Sequence, residues 1–130
     1  MRHVSAYPNG TAVRTLSPDV SDLVADLTGF HPALDNAVAA IAELLYADLT
    51  ADQTQSVIAA LGAYEDGDFM RLVLLAVRDL GNPKTNPAVA ALPAKARNEA
   101  RRLTAAYAAD GDLDLRRDLA SEACAVIDRA

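Results

Sequence analysis

The chain has 130 residues and a net charge of −6, a size that suits one domain with a single core. Alanine supplies 28 of its 67 hydrophobic residues, aromatics are 5% and Trp is absent, so packing must rely on Leu, Val and closely approaching alanine-faced helices. No apolar run reaches the ~18–20 residues of a membrane span, no signal-peptide core is visible, and the lone Cys124 excludes a disulfide scaffold.

Residues 1–16 differ from the rest. Val4–Tyr7 and Thr11–Thr15 flank Pro8-Asn9-Gly10, a turn sequence in which Pro presets φ and Gly takes the left-handed position. This predicts an N-terminal β-hairpin or extended arm, which must lean on other structure because two strands alone are marginal.

From Ser17 the pattern is helical. Ser17-Pro18 reads as an N-cap and first helical residue, and Val20, Leu23, Val24 and Leu27 form one stripe. Gly29 supplies a left-handed stop, with Phe30 expected to fold back toward Val24. Pro32 opens a second helix with Leu34, Val38, Ile41 and Leu45 inward, and His31 beside it is expected to cap or border that helix. Thr50 and Gln53 form a capping box for a third helix, whose apolar face is Val57, Ile58 and Leu61.

The turn Glu65-Asp66-Gly67-Asp68 sets carboxylates at the positive end of a fourth helix, from about Phe69 to Leu80. Leu72 to Val77 run unbroken and apolar, so this helix is expected to be the buried, central one. A loop over 81–87 follows, then a short turn from Asn86-Pro87 that Pro93 ends or restarts. A helix from about Ala94 to Ala109 should turn Ala96, Ala100, Leu103 and Tyr107 inward. The last helix should bury Leu115, Leu119, Ala123, Val126 and Ile127. The expected fold is mainly α: residues 1–130 as a single domain, with a bundle of about six helices over 17–130 behind the 1–16 hairpin.

The catalytic inventory is thin. His3 and His31 are the only histidines, and Cys124 lies beside an apolar stripe, where a buried small side chain is the ordinary role. No nucleophile triad, zinc, phosphate-loop or dinucleotide motif occurs, and no catalytic, cofactor-binding or metal residue is singled out. Asp110 to Asp114 superficially resemble a calcium loop. The sixth position, however, is Leu115 where Gly is needed, and the twelfth is Ser121 where a bidentate Glu is needed. A small enzyme would require a carboxylate site that sequence does not reveal.

Charge distribution is more informative. Residues 17–80 hold eleven acids against two bases, −9, whereas 81–130 sum to +1 and 1–16 to +2. The plainest reading is that acidic and basic helices lie side by side and partly neutralise each other. On a second, Asp19, Asp22, Asp26, Asp48 and Asp52 are candidates for an acidic surface that steers a basic protein partner. Lys95, Arg97, Arg101 and Arg102 form a basic segment at 95–102 that could meet nucleic-acid phosphates. Overall acidity and the lack of base-stacking aromatics weigh against that use.

Arg outnumbers Lys ten to two and Asp outnumbers Glu fourteen to four, a GC-rich coding bias like that of actinobacteria and their phages. Small acidic helical proteins that neutralise toxins, nucleases or defence systems share this composition, an analogy only. The sequence thus points to a cytoplasmic, non-enzymatic protein-interaction or regulatory module, free to form homo-oligomers through hairpin edges or alanine-lined helices.

Overall fold

The computed structural model describes residues 15–64, 67–109 and 113–129. Within them the chain is helical, with no strand: α1 (Pro18–Leu27), α2 (Pro32–Tyr46), α3 (Ala51–Gly62), α4 (Phe69–Leu80), α5 (Pro87–Ala90), α6 (Ala94–Ala108) and α7 (Leu113–Arg129). The expected 1–16 hairpin lies outside the described residues except for Thr15 and Leu16, which are irregular. None of the described helices is long and apolar enough to cross a membrane. The helices fall into two compact units divided between Leu49 and Thr50.

In the first unit, α1 packs on α2. Ser17 Oγ accepts from the Val20 N–H at 3.4 Å, as its N-cap position requires. Gly29 takes φ 105, the left-handed stop. Phe30 does not fold back; it is largely exposed. Polar groups close the corner in its place: Thr28 Oγ1 donates to Val24 O at 2.7 Å, and Asp35 Oδ1 of α2 accepts from the Gly29 N–H at 2.9 Å. His31 Nδ1 accepts from the Ala33 N–H at 3.0 Å, so the histidine is the N-cap of α2.

In the second unit, α3 packs mainly on α7 and also on α4, α4 packs on α6, and α5 leans on α6. The capping box of α3 forms as the spacing predicts, with Gln53 N to Thr50 Oγ1 at 3.1 Å and Thr50 N to Gln53 Oε1 at 3.0 Å. The loop after α4 is tied by side chains. Thr85 Oγ1 donates to Asp79 O at 2.6 Å and Asn86 Nδ2 to Leu80 O at 2.8 Å, satisfying carbonyls that the helix end would orphan. Asn86 Oδ1 also caps α5, accepting from the Ala88 N–H at 3.1 Å. Asn86→Ala therefore loses both bonds, and a drop of about 1–2 kcal/mol in unfolding free energy is expected in urea titration.

Small residues make the contacts. Ala42 is buried in the first unit, and Ala59, Ala108 and Cys124 in the second; no large side chain among the described residues is fully buried. The packing faces of α6 and α7 are therefore rotated from the expected stripes. In α6 the inward residues are Arg97, Ala100, Thr104 and Ala108, while Ala96, Leu103 and Tyr107 face outward. In α7 they are Arg117, Ala120, Cys124 and Ile127, and of the predicted set only Ile127 is turned in.

The cause is close approach. Gly81 meets the Thr104 side chain so tightly that a Cβ built on the glycine would overlap it. Cys124 Sγ donates to Gln55 O at 3.4 Å and Ser121 Oγ to Ala63 O at 3.3 Å, contacts that bulky leucines at the seam would prevent. Nor is α4 buried over most of its surface: it packs on both α6 and α3, yet none of its residues is buried.

Candidate functional site

The most enclosed polar feature is an ion pair in the second unit. Asp68 caps α4, its Oδ1 accepting from the Arg71 N–H at 2.8 Å. Arg117 of α7 grips the same carboxylate with two bonds, Nε to Oδ2 at 2.8 Å and Nη2 to Oδ1 at 3.1 Å. The Asp68 side chain is 0% exposed and that of Arg117 9%, and Arg117 Nη1 also lies 3.8 Å from the carboxylate of the exposed Asp114. The Arg117 hydrogen bond is the main cause that lowers the Asp68 pKa below its ordinary value, outweighing the opposing effect of burial. A bidentate guanidinium on an N-cap carboxylate pins α7 to the start of α4.

A depression of about 420 Å³ beside it is lined by Ala63, Asp114, Arg117, Asp118 and Ser121. The Ser121 hydroxyl donates to a backbone carbonyl, an arrangement that does not raise its nucleophilicity. Asp68 is committed to Arg117 as an ionised acceptor, so it has no proton to give and little tendency to take one. The enclosed carboxylate therefore serves the fold.

The sequence-derived basic residues separate. Lys95, Arg101 and Arg102, with Asn98, Glu99 and Ala105, line a shallow depression of about 680 Å³ on α6. Arg102 Nε donates to Glu99 Oε1 at 2.7 Å, a bond that lowers the Glu99 pKa and raises that of Arg102. Arg97 turns to the packed side, where Nη1 donates to Leu92 O at 3.4 Å. Lys95 and Arg101 remain as the cations without a described partner on this face. Two phosphate contacts give weak binding with only a shallow salt dependence.

Of the acidic candidates, Asp19, Asp22 and Asp26 fall at i, i+3 and i+7 and form one exposed face of α1. Asp48 lies between α2 and α3, exposed, and Asp52 is exposed in the first turn of α3. The five are thus shared between the two units.

What sequence reasoning missed is apolar. On α4, Phe69, Leu72, Val73, Ala76 and Leu80 recur at i, i+3, i+4, i+7 and i+11 and all face outward, with Leu72 59% and Leu80 64% exposed. On α7, Leu115 and Leu119 are 67% and 59% exposed, and Ala123 and Val126 continue that face. The signal was present in the α4 sequence, whose apolar residues occupy all of the helix surface but the strip held by Arg71, Arg78 and Asp79.

Among the described residues no cluster of His, Cys, Asp or Glu could hold a metal. Comparison with protein-family models, with curated proteins and with solved structures finds no match.

Proposed function

We propose that the chain is a non-enzymatic, cytoplasmic protein-interaction module of regulatory type, which binds other protein through the apolar faces of α4 and α7. The observation that carries this reading is the outward leucine set Leu72, Leu80, Leu115 and Leu119. Exposed apolar side chains grouped along one helix face cost free energy until covered, and such faces, here one on α4 and one on α7, mark protein contact surfaces. The acidic face of α1, with Asp19, Asp22 and Asp26, adds long-range attraction for a basic partner and raises its rate of encounter.

Affinity capture from cells carrying the gene tests this. The wild-type chain retains a protein saturably. Leu119→Glu weakens retention by at least ~10-fold, as burying an unpaired charge at an anchor position should. Lys95→Glu with Arg101→Glu leaves it unchanged. Salt-sensitive retention of nucleic acid, abolished by that double charge reversal and indifferent to Leu119, would overturn the reading.

A further inference from the structure

We infer that the outer face of α4 is a self-association surface, on which a second copy of this chain packs its own α4 about a twofold axis; the inference rests on the protein-interaction reading and names one of its partners. The argument begins with the two flanks of this helix. Met70, Leu74, Leu75 and Val77 are half-buried against neighbouring helices, while Phe69, Leu72, Val73, Ala76 and Leu80 form an uninterrupted apolar face whose most exposed members are Leu72 at 59% and Leu80 at 64%, with Phe69 at 37% and Val73 at 38%. A helix that is apolar on both flanks is stable between two layers, and within its own unit the described helices that pack on α4, α3 and α6, leave this face exposed. Pairing with a second α4 supplies the other and makes α4 the central helix that its sequence demands.

Charge favours a copy of the same chain over a charged partner. The outward face contains no ionisable residue. Arg71 and Arg78 lie on the opposite side of the helix, and Asp79 at the margin is paired with Arg78, Nε to Oδ1 at 3.0 Å. A twofold pair therefore brings no like charges together, and antiparallel helices also oppose their dipoles favourably. Residues 50–130, which carry the face, hold ten bases and twelve acids, so they contribute only −2 of the net charge of −6 that each whole chain brings to the pair. The six acids of residues 15–49 have no bases among them, which leaves that segment as the one suited to a basic partner.

Area sets the strength. The exposed parts of the five side chains amount to roughly 300–400 Å² per copy. Doubling this and adding a polar rim gives about 1,000 Å² in all, the low end of specific interfaces, which corresponds to a reversible dimer with a dissociation constant in the micromolar range.

Sedimentation velocity with light scattering, from about 1 to about 200 µM, tests this. The wild-type mass should rise from the 13.7 kDa of one chain toward twice that value. Leu72→Glu should hold the chain at one-chain mass across the range with an unchanged helical circular-dichroism signal, and Leu119→Glu on α7 should still dimerise. A wild-type chain that stays at 13.7 kDa throughout would overturn the proposal, as would a dimer that survives Leu72→Glu or is lost equally with Leu119→Glu. If the chain is monomeric yet retains a different protein in a Leu119-dependent way, self-pairing fails and the interaction reading stands. If it dimerises through Leu72 but retains no other protein, self-pairing stands and the binding of a different protein through α7 fails.

Discussion

Arg117→Met should lower the unfolding free energy by about 3–5 kcal/mol in urea titration, because it leaves the Asp68 carboxylate enclosed and without its cation. Only the Arg71 N–H would remain among the described hydrogen bonds to that carboxylate. Total stabilities of small domains are about 5–15 kcal/mol, so this one side chain decides whether the second unit stays folded under mild stress. The paired variant Asp68→Ser with Arg117→Met should recover most of the loss. Serine still caps α4, methionine fills apolar space, and no buried charge is stranded. A cost below about 1 kcal/mol for Arg117→Met would show that water already satisfies the carboxylate.

The pH dependence follows with a definite sign. The Asp68 pKa in the folded state lies below its ordinary value, chiefly through the Arg117 hydrogen bond. Its contribution is therefore complete above about pH 4, where an unfolded Asp is ionised, and is lost as pH falls through the lower folded value. Stability from this pair should be flat from neutrality to about pH 4 and decline below it. In Arg117→Met that acidic limb should shrink.

Gly81→Ala should cost about 1–3 kcal/mol although a methyl group is all that it adds. Gly81 sits at φ −91, so backbone strain is not the reason. The added Cβ would lie 2.7 Å from the Thr104 Cβ and overlap the hydroxyl and methyl beyond it. Thr104 is anchored, its Oγ1 donating to Ala100 O at 2.8 Å, so α4 and α6 must separate to make room. Thr104→Ala removes the two outer atoms and leaves the Cβ, so the double variant should recover part of the loss. A double-mutant cycle should give a coupling of about 0.5–1.5 kcal/mol. Strict additivity would mean that the helices do not meet at this point.

These residues also show what a sequence can disclose. Local chemistry was readable: the Thr50–Gln53 box, the His31 cap, the left-handed Gly29 and the extent of α4 depend on neighbours a few positions away. The cap role of Asp68 was readable for the same reason. Its Arg117 partner lies 49 residues along the chain, and a lone charge among Ala120, Cys124 and Ile127 was the one hint of it.

Periodicity misled in α6 and α7 because it follows the largest apolar side chains, whereas these helices approach through their smallest. Leu103, Tyr107, Leu115 and Leu119 were therefore assigned to a core that Ala100, Thr104, Ala108, Ala120 and Cys124 occupy. In α4 the run of apolar residues marks the helix, but not which of them its own unit covers. A helix apolar all round can be buried within its own domain, or half-buried there and half against another chain.

Site-specific photocrosslinking tests the central claim that protein covers the outer face of α4 most directly. A photoreactive residue replacing Leu72, with the same residue replacing the exposed Ser56 of α3 as control, should be irradiated in the native cell. The account predicts a discrete protein adduct from position 72, either a second copy or another chain, and none from position 56. Equal labelling at both positions, or no adduct at 72, would contradict it.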